Sequence, residues 1–204
     1  MEIKTYRLGE LQTNAYLIYE EKTKEGLIID PADDANFLSE QILSLGIKLK
    51  ALVATHGHFD HLLAASELQL AFKVPFLISE KDMPLLKKMT LSASWWLKRR
   101  MIEKPPADIQ FLKSSDQINP GKLKVIETPG HSPGSLCLYS EKEKILFTGD
   151  TLFAHGTVGR TDLPYSSKKE LSKSLAKLAA LPREIKIYPG HGESSYLGES
   201  LSQL

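Results

Sequence analysis

Thr55-His56-Gly57-His58-Phe59-Asp60-His61 is the stretch from which the rest of the chain can be read. The apolar run from Lys50 to Thr55 ahead of it has the character of a buried strand, and the residues behind it predict a helix from about His61 to Phe72. The histidines therefore stand where a strand gives way to a helix. Residues two apart in extended chain face the same side, so His56 and His58 can grip one metal ion together. The turn that follows re-aims Asp60 and His61, which can serve a second ion. Imidazole nitrogens with carboxylate oxygens suit zinc, and also iron or manganese. A lone His-x-His pair would carry little weight, because chance supplies it often.

The remaining candidates share one local pattern: Thr128-Pro129-Gly130-His131, Thr148-Gly149-Asp150 and Tyr188-Pro189-Gly190-His191. Each follows an apolar strand, and in each a glycine directly precedes the candidate ligand, which permits a sharp turn at the strand end. Four strands would then deliver His56, His58, Asp60, His61, His131, Asp150 and His191 to one edge of the sheets, where α/β proteins tend to build sites. Seven ligand-type residues are too many for one tetrahedral ion. They predict two, with the two oxygens of Asp150 shared between them.

Composition agrees with an ordinary enzyme-sized domain. The 204 residues are 42% hydrophobic and 25% charged, a globular mixture, and are read as one domain over 1–204. No apolar run approaches the ~18 residues of a membrane span, and Met1-Glu2-Ile3-Lys4 does not open a secretory signal. A single cysteine, Cys137, excludes an internal disulfide and fits a reducing, cytoplasmic setting. The formal net charge of +1 lacks the basic excess of a general nucleic-acid binder. One segment departs from that balance: residues 81–104 hold seven basic and two acidic side chains, read first as a solvated helix face.

Strands are expected at Glu2 to Leu8, Asn14 to Glu20 and Glu25 to Asp30, then a helix capped by Asp33 or Asp34 and stopped by Gly46. A strand at Pro75 to Ser79 precedes a helical segment from Glu80 to about Arg100. Strands follow at Lys122 to Thr128, Ser135 to Tyr139, Lys144 to Thr148 and Glu184 to Tyr188. Ser167 and Glu170 read as the capping box of a late helix. Interspersed strands and helices in both halves give an α/β protein with more than one sheet layer.

The set His56-x-His58-x-Asp60-His61, His131, Asp150 and His191 resembles the metallo-β-lactamase fold superfamily over nearly the whole chain. Leu27-Ile28-Ile29-Asp30-Pro31, Phe147-Thr148-Gly149-Asp150-Thr151-Leu152-Phe153, Gly159-Arg160-Thr161-Asp162-Leu163-Pro164 and Pro189-Gly190-His191-Gly192 resemble its glyoxalase II (hydroxyacylglutathione hydrolase)-like branch. That resemblance implies an αββα sandwich, two mixed β-sheets flanked by helices, with metals in a groove at one edge. It assigns His56, His58 and His131 to a first metal and Asp60, His61 and His191 to a second, with Asp150 and a water or hydroxide between them. Asp60 and Asp150 are then the catalytic carboxylates. The chain ends 13 residues after His191, so the C-terminal helical domain of full-length glyoxalase II enzymes is expected to be absent. β-Lactamases of this fold carry cysteine or serine where Asp150 stands, which argues against a penicillin substrate.

The implied activity is hydrolysis of a small acyl-thioester by a metal-bridging hydroxide, since a zinc-bound water has a pKa near 7. Two divalent ions, zinc foremost, are the expected cofactors, and neither nucleic acid nor membrane is expected as a partner. Two other readings stand beside it: a persulfide dioxygenase-like protein with one iron on His56, His131 and Asp150, and a metal-stabilised binding protein without turnover. Asp30 reads as a carboxylate that supports a ligand, Arg160 and Asp162 as a structural pair, and His155 as a surface histidine. Trp95 and Trp96 read as packing the 81–104 segment onto the sandwich, and Cys137 as a buried inert thiol.

Overall fold

The computed structural model describes residues 1–204. Twelve strands form two six-stranded sheets. The first takes β1 (Glu2–Leu8), β2 (Thr13–Tyr19), β3 (Glu25–Ile29), β4 (Lys48–Val53), β5 (Phe76–Ile78) and β6 (Ile109–Phe111) in that order. Its first three strands are antiparallel and its last four run parallel. The second takes β7 (Gln117–Ile118), β8 (Leu123–Glu127), β9 (Leu136–Ser140), β10 (Ile145–Gly149), β11 (Lys186–Pro189) and β12 (Ser195–Tyr196), also in chain order, with only β10 and β11 parallel. Both sheets are mixed, as expected.

Side-chain alternation along these strands builds the layers. Tyr16, Ile18, Leu27, Ile29 and Val53 of the first sheet meet Val125, Leu136, Leu138 and Phe147 of the second in a core between the sheets. Their neighbours Leu17, Ile28 and Leu52 point the other way, under α1 (Ala35–Ser44), α2 (Ala65–Phe72), α3 (Met83–Lys87) and α4 (Met89–Trp96). On the outer face of the second sheet, Cys137, Leu146 and Ile187 are covered by α5 (Lys168–Leu178) and α6 (Leu197–Leu201). The result is an αββα sandwich. Each fully buried Leu, Ile or Phe contributes on the order of 1.5–3 kcal/mol, so the three layers of apolar contact dominate its stability.

Two expected helices take a different form. The helix expected from His61 starts only at Ala65, and Phe59–His61 form a 3-10 turn. The N–H groups of Leu63 and Ala64 donate to Ala32 and Pro31 rather than to a preceding helical turn, so this stretch is tied to the loop after β3. The helix expected over 80–100 is broken into a 3-10 turn at Glu80–Asp82, then α3, then α4. Pro84 sits in the first turn of α3, and Lys88, at φ −96° and ψ 3°, leaves helical geometry between the two helices. The tryptophans do not pack this segment down: Trp95 is 71% exposed and Trp96 41%. Leu86, Met89, Ala93 and Met101 hold it to the first sheet instead. Ser167 caps α5 as expected, accepting from the Glu170 N–H, but the Glu170 carboxylate turns to Lys173.

Candidate metal centre

All seven expected ligand residues converge at one edge of the sandwich. His56 and His58 follow β4, Asp60 and His61 lie on the 3-10 turn, His131 follows β8, Asp150 follows β10, and His191 follows β11. Backbone freedom matters at two of these turns. Gly149 has φ +48°, and a Cβ on Gly190 would fall 2.2 Å from Asp150 Oδ1, so only glycine lets the last two strands close on the centre. The second sheet is fastened to the first beside His191. Asn14 Nδ2 donates to the carbonyls of Pro189 and Gly192, and the Tyr16 hydroxyl donates to Pro189.

Three overlapping groups have ligand atoms close enough to share an ion: His56, His58 and His131; His56, His61 and Asp150; and Asp60, His61 and His191. In the first, His58 Nδ1 lies 3.1 Å from His56 Nε2 and 2.8 Å from His131 Nε2. In the last, Asp60 Oδ2 lies 3.5 Å from His61 Nε2 and 3.3 Å from His191 Nε2. Asp150 stands between them. Its Oδ2 is 3.4 Å from His131 Nε2 and 3.7 Å from His191 Nε2, and its Oδ1 is 3.5 Å from His61 Nε2. His61 Nε2 and Asp150 Oδ1 are buried without a hydrogen-bond partner. Buried polar atoms seldom go unsatisfied, and two of them aimed at one point among nitrogen and carboxylate donors are what a divalent cation requires.

The far nitrogens of four histidines are held from outside. Asp30 Oδ2 sits 2.9 Å from His61 Nδ1, and the same carboxylate accepts the N–H and hydroxyl of Thr55 at 2.7 and 2.8 Å. Thr55 Oγ1 also meets His56 Nδ1 at 3.1 Å. His131 Nδ1 donates to the Arg160 carbonyl at 2.9 Å, and His191 Nδ1 to the Leu11 carbonyl at 3.1 Å. Thr13 Oγ1 donates to Asp60 Oδ2 at 2.9 Å. Such contacts keep a proton on the outer nitrogen, so that the inward nitrogen is the one that can give up its proton to a cation.

Burial and neighbouring charge divide the site electrically. Burial pushes His58 down to about 3, with the nearby His131 adding to the effect, and it lowers His56 well below its ordinary value. Burial works the same way on His61, but Asp60, Asp30 and Asp150 outweigh it and raise His61 to about 10. Burial opposes charge on His191 as well, but the hydrogen bond to Asp60 and the charges of Asp150 and Asp60 together raise it. Burial opposes the charge of Asp60, yet His61, His191 and His58 together hold it far below the usual carboxylate range.

Outside the centre, several expectations meet their residues. Asp30 acts through His61, away from the inward-facing atoms. Arg160 and Asp162 pair bidentately at 2.9 and 2.8 Å, and the guanidinium lies 5.8 Å from the Trp96 ring centre. His155 is exposed, and it lines an open cleft of about 600 Å³ with Phe153, Thr157, His191 and Glu193. Cys137 is buried, and burial pushes its thiol up to about 11. The site also uses Thr13, Thr55, Asp82 and the Leu11 and Arg160 carbonyls, which carry no ligand motif of their own in the sequence. Thr55 adjoins His56 and was within reach, whereas nothing local marks Thr13.

A β/β sandwich flanked by helices, with histidines and carboxylates at one edge, defines a metal-dependent hydrolase scaffold. The chain belongs to the metallo-beta-lactamase superfamily, whose family model matches residues 8–191. It is 33% identical to the hydroxyacylglutathione hydrolase GloC of Haemophilus influenzae over 98% of this chain and 94% of that protein. Among solved structures it is similar to TTHA1623 in a di-iron-bound form, with 34% identity, a TM-score of 0.90 and 98% of both chains covered. It is also similar to the B3 metallo-beta-lactamase BLEG-1, with 33% identity, a TM-score of 0.89, and 98% of this chain and 97% of that one covered.

Proposed function

We propose that this chain hydrolyses small acyl-thioesters of the hydroxyacylglutathione type, with two divalent metal ions as cofactors and the cytoplasm as its place of action. The observation that carries the reading is Asp150, whose two oxygens face both halves of the histidine cluster. His56, His58 and His131 would hold one ion and Asp60, His61 and His191 the other. Bound there, the ions would supply a hydroxide at neutral pH and a Lewis acid for the thioester carbonyl. Asp60, held by Thr13 and kept ionised by the histidines around it, would help to hold the second ion and would accept a hydrogen bond that orients the attacking hydroxide. The leaving thiol has a pKa of roughly 8.5, so it departs as thiolate without a strong general acid. The open cleft beside His191, about 600 Å³, has room for a small acyl group. The similarity to GloC favours this substrate class, and the similarity to a di-iron protein makes iron as eligible as zinc.

Metal analysis of natively purified protein, run beside hydrolysis of S-lactoylglutathione, tests this. About two equivalents of zinc, iron or manganese with thioester turnover are expected. One iron with oxygen consumption on a persulfide substrate would replace the reading with a dioxygenase. Metal binding without turnover on any substrate would leave a binding protein. A β-lactam is included as a substrate because of the similarity to BLEG-1, and faster turnover of it than of the thioester would overturn the substrate class.

A further inference from the structure

Among the five histidines of the centre, His58 is the exception. The others have a far nitrogen anchored by Thr55, Asp30, Arg160 or Leu11, whereas the hydrogen bonds of the His58 ring go only to His56 and His131. Its placement must come from the backbone. Beside it lies Asp82, at the end of a 3-10 turn and 0% exposed. Asp82 Oδ2 accepts the Gly57 N–H at 2.8 Å and the Ser132 hydroxyl at 2.6 Å, and Oδ1 accepts the Gly134 N–H at 2.6 Å. Gly57 lies between His56 and His58, and Ser132 follows His131. One carboxylate thus grips the two loops that must bring His58 and His131 together, one from each sheet.

The fit is close on both sides. A Cβ on Gly57 would come within 3.0 Å of the Asp82 Cβ, and one on Gly134 within 2.7 Å of its Cγ. Three donors on one buried carboxylate also explain how an acidic group is tolerated there. We propose that Asp82 is a positioning residue that sets the separation of the His56–His58 and His131 loops, and with it the metal affinity of that half of the centre only. The inference rests on the metal-centre reading above. Asp60, His61 and His191 take their support from Thr13, Asp30 and Leu11, none of which touches Asp82.

Asparagine at this position keeps the volume but offers one acceptor for three donors and points an NH2 group at an N–H or hydroxyl. Zinc titration of the full chain against a competing chelator resolves the two halves. Asp82→Asn is expected to weaken one of two zinc ions by about 10–100-fold, the usual effect of losing a support behind the ligands, and to leave the other within about twofold. The affected half is identified by background. Asp82→Asn should weaken the remaining zinc of a His191→Ala protein by that same factor of about 10–100 and change little in a His58→Ala protein. Ser132→Ala, which deletes one of the three bonds and keeps the charge, should shift the same ion less. It carries the comparison if Asp82→Asn does not fold by circular dichroism. Unchanged affinity in a folded variant, or equal weakening of both ions, overturns the proposal. A wild-type chain that binds no zinc, iron or manganese instead overturns the metal-centre reading itself.

Discussion

Asp30→Asn isolates how a carboxylate behind a histidine controls the centre. Asp30 is 1% exposed, and its two oxygens accept three donors: Thr55 N–H, Thr55 Oγ1–H and His61 Nδ1–H. Its φ is +52°, a conformation that asparagine tolerates at least as well, so the substitution adds no backbone strain. An asparagine that keeps its oxygen on the Thr55 N–H turns its NH2 toward His61 Nδ1. That forces the imidazole proton to Nε2, the buried atom that now faces Asp60 and Asp150. The opposite rotamer sets NH2 against the Thr55 N–H and loses that bond. Either way the inward lone pair of His61 becomes less available. Loss of such a support costs about 10–100-fold in metal affinity, equivalent to about 1.4–2.8 kcal/mol. Zinc competition against a chelator, with circular dichroism to verify folding, measures it. Wild-type zinc affinity in folded Asp30→Asn protein would refute the idea that Asp30 fixes the His61 tautomer.

Asp150→Ala should lower metal content and cut thioester turnover by at least ~100-fold while the fold persists, since sheet packing does not use this side chain; full turnover in a well-folded variant would exclude the bridging role. Replacing Lys98, Arg99 and Arg100 together should impair anionic thioesters more than neutral ones, and added salt should raise the apparent KM for anionic substrates in the wild type. These residues are exposed, Arg99 lies 3.4 Å from Glu10, and the preceding Leu97 shares a small cavity with Asp60. Equal effects on both substrates would assign the charges to a solvated face. Cys137 should resist a thiol reagent at pH 8 until the chain unfolds, because a thiol raised to about 11 stays protonated at every lower pH and its atoms are covered. Labelling at the rate of a free thiol in the native protein would contradict its burial.

Most of the strands and the ligand set could be read locally. The short, nearly continuous apolar runs of β2, β3, β9 and β10 are a property of neighbouring residues, and each short motif Gly-His or Gly-Asp lies within a few positions of its strand. The helices around the site were read less well. Apolar periodicity continues through Leu62 and Leu63, yet bonds from residues 63 and 64 to Ala32 and Pro31 delay α2 until Ala65. Trp95 and Trp96 look like core by composition, but Trp95 falls off the face that Met89 and Ala93 bury, and Trp96, on that face but in the last turn of the helix beside Arg160, stays 41% exposed. β6, β7, β12 and α6 are too short to leave a pattern.

What the amino-acid sequence determined by itself is chemistry at fixed spacing: imidazoles and carboxylates at the ends of apolar strands, a layered α/β architecture, and one cysteine with no partner. The tertiary structure decided which nitrogen of each histidine faces inward, and through which support. Thr13 reaches Asp60 across 47 positions, Asp82 reaches Gly134 across 52, and the Leu11 carbonyl reaches His191 across 180. Periodicity and capping report only interactions within a few residues. Hydrogen bonds between loops from two different sheets exist only once both sheets have packed, so no local pattern in the chain records them.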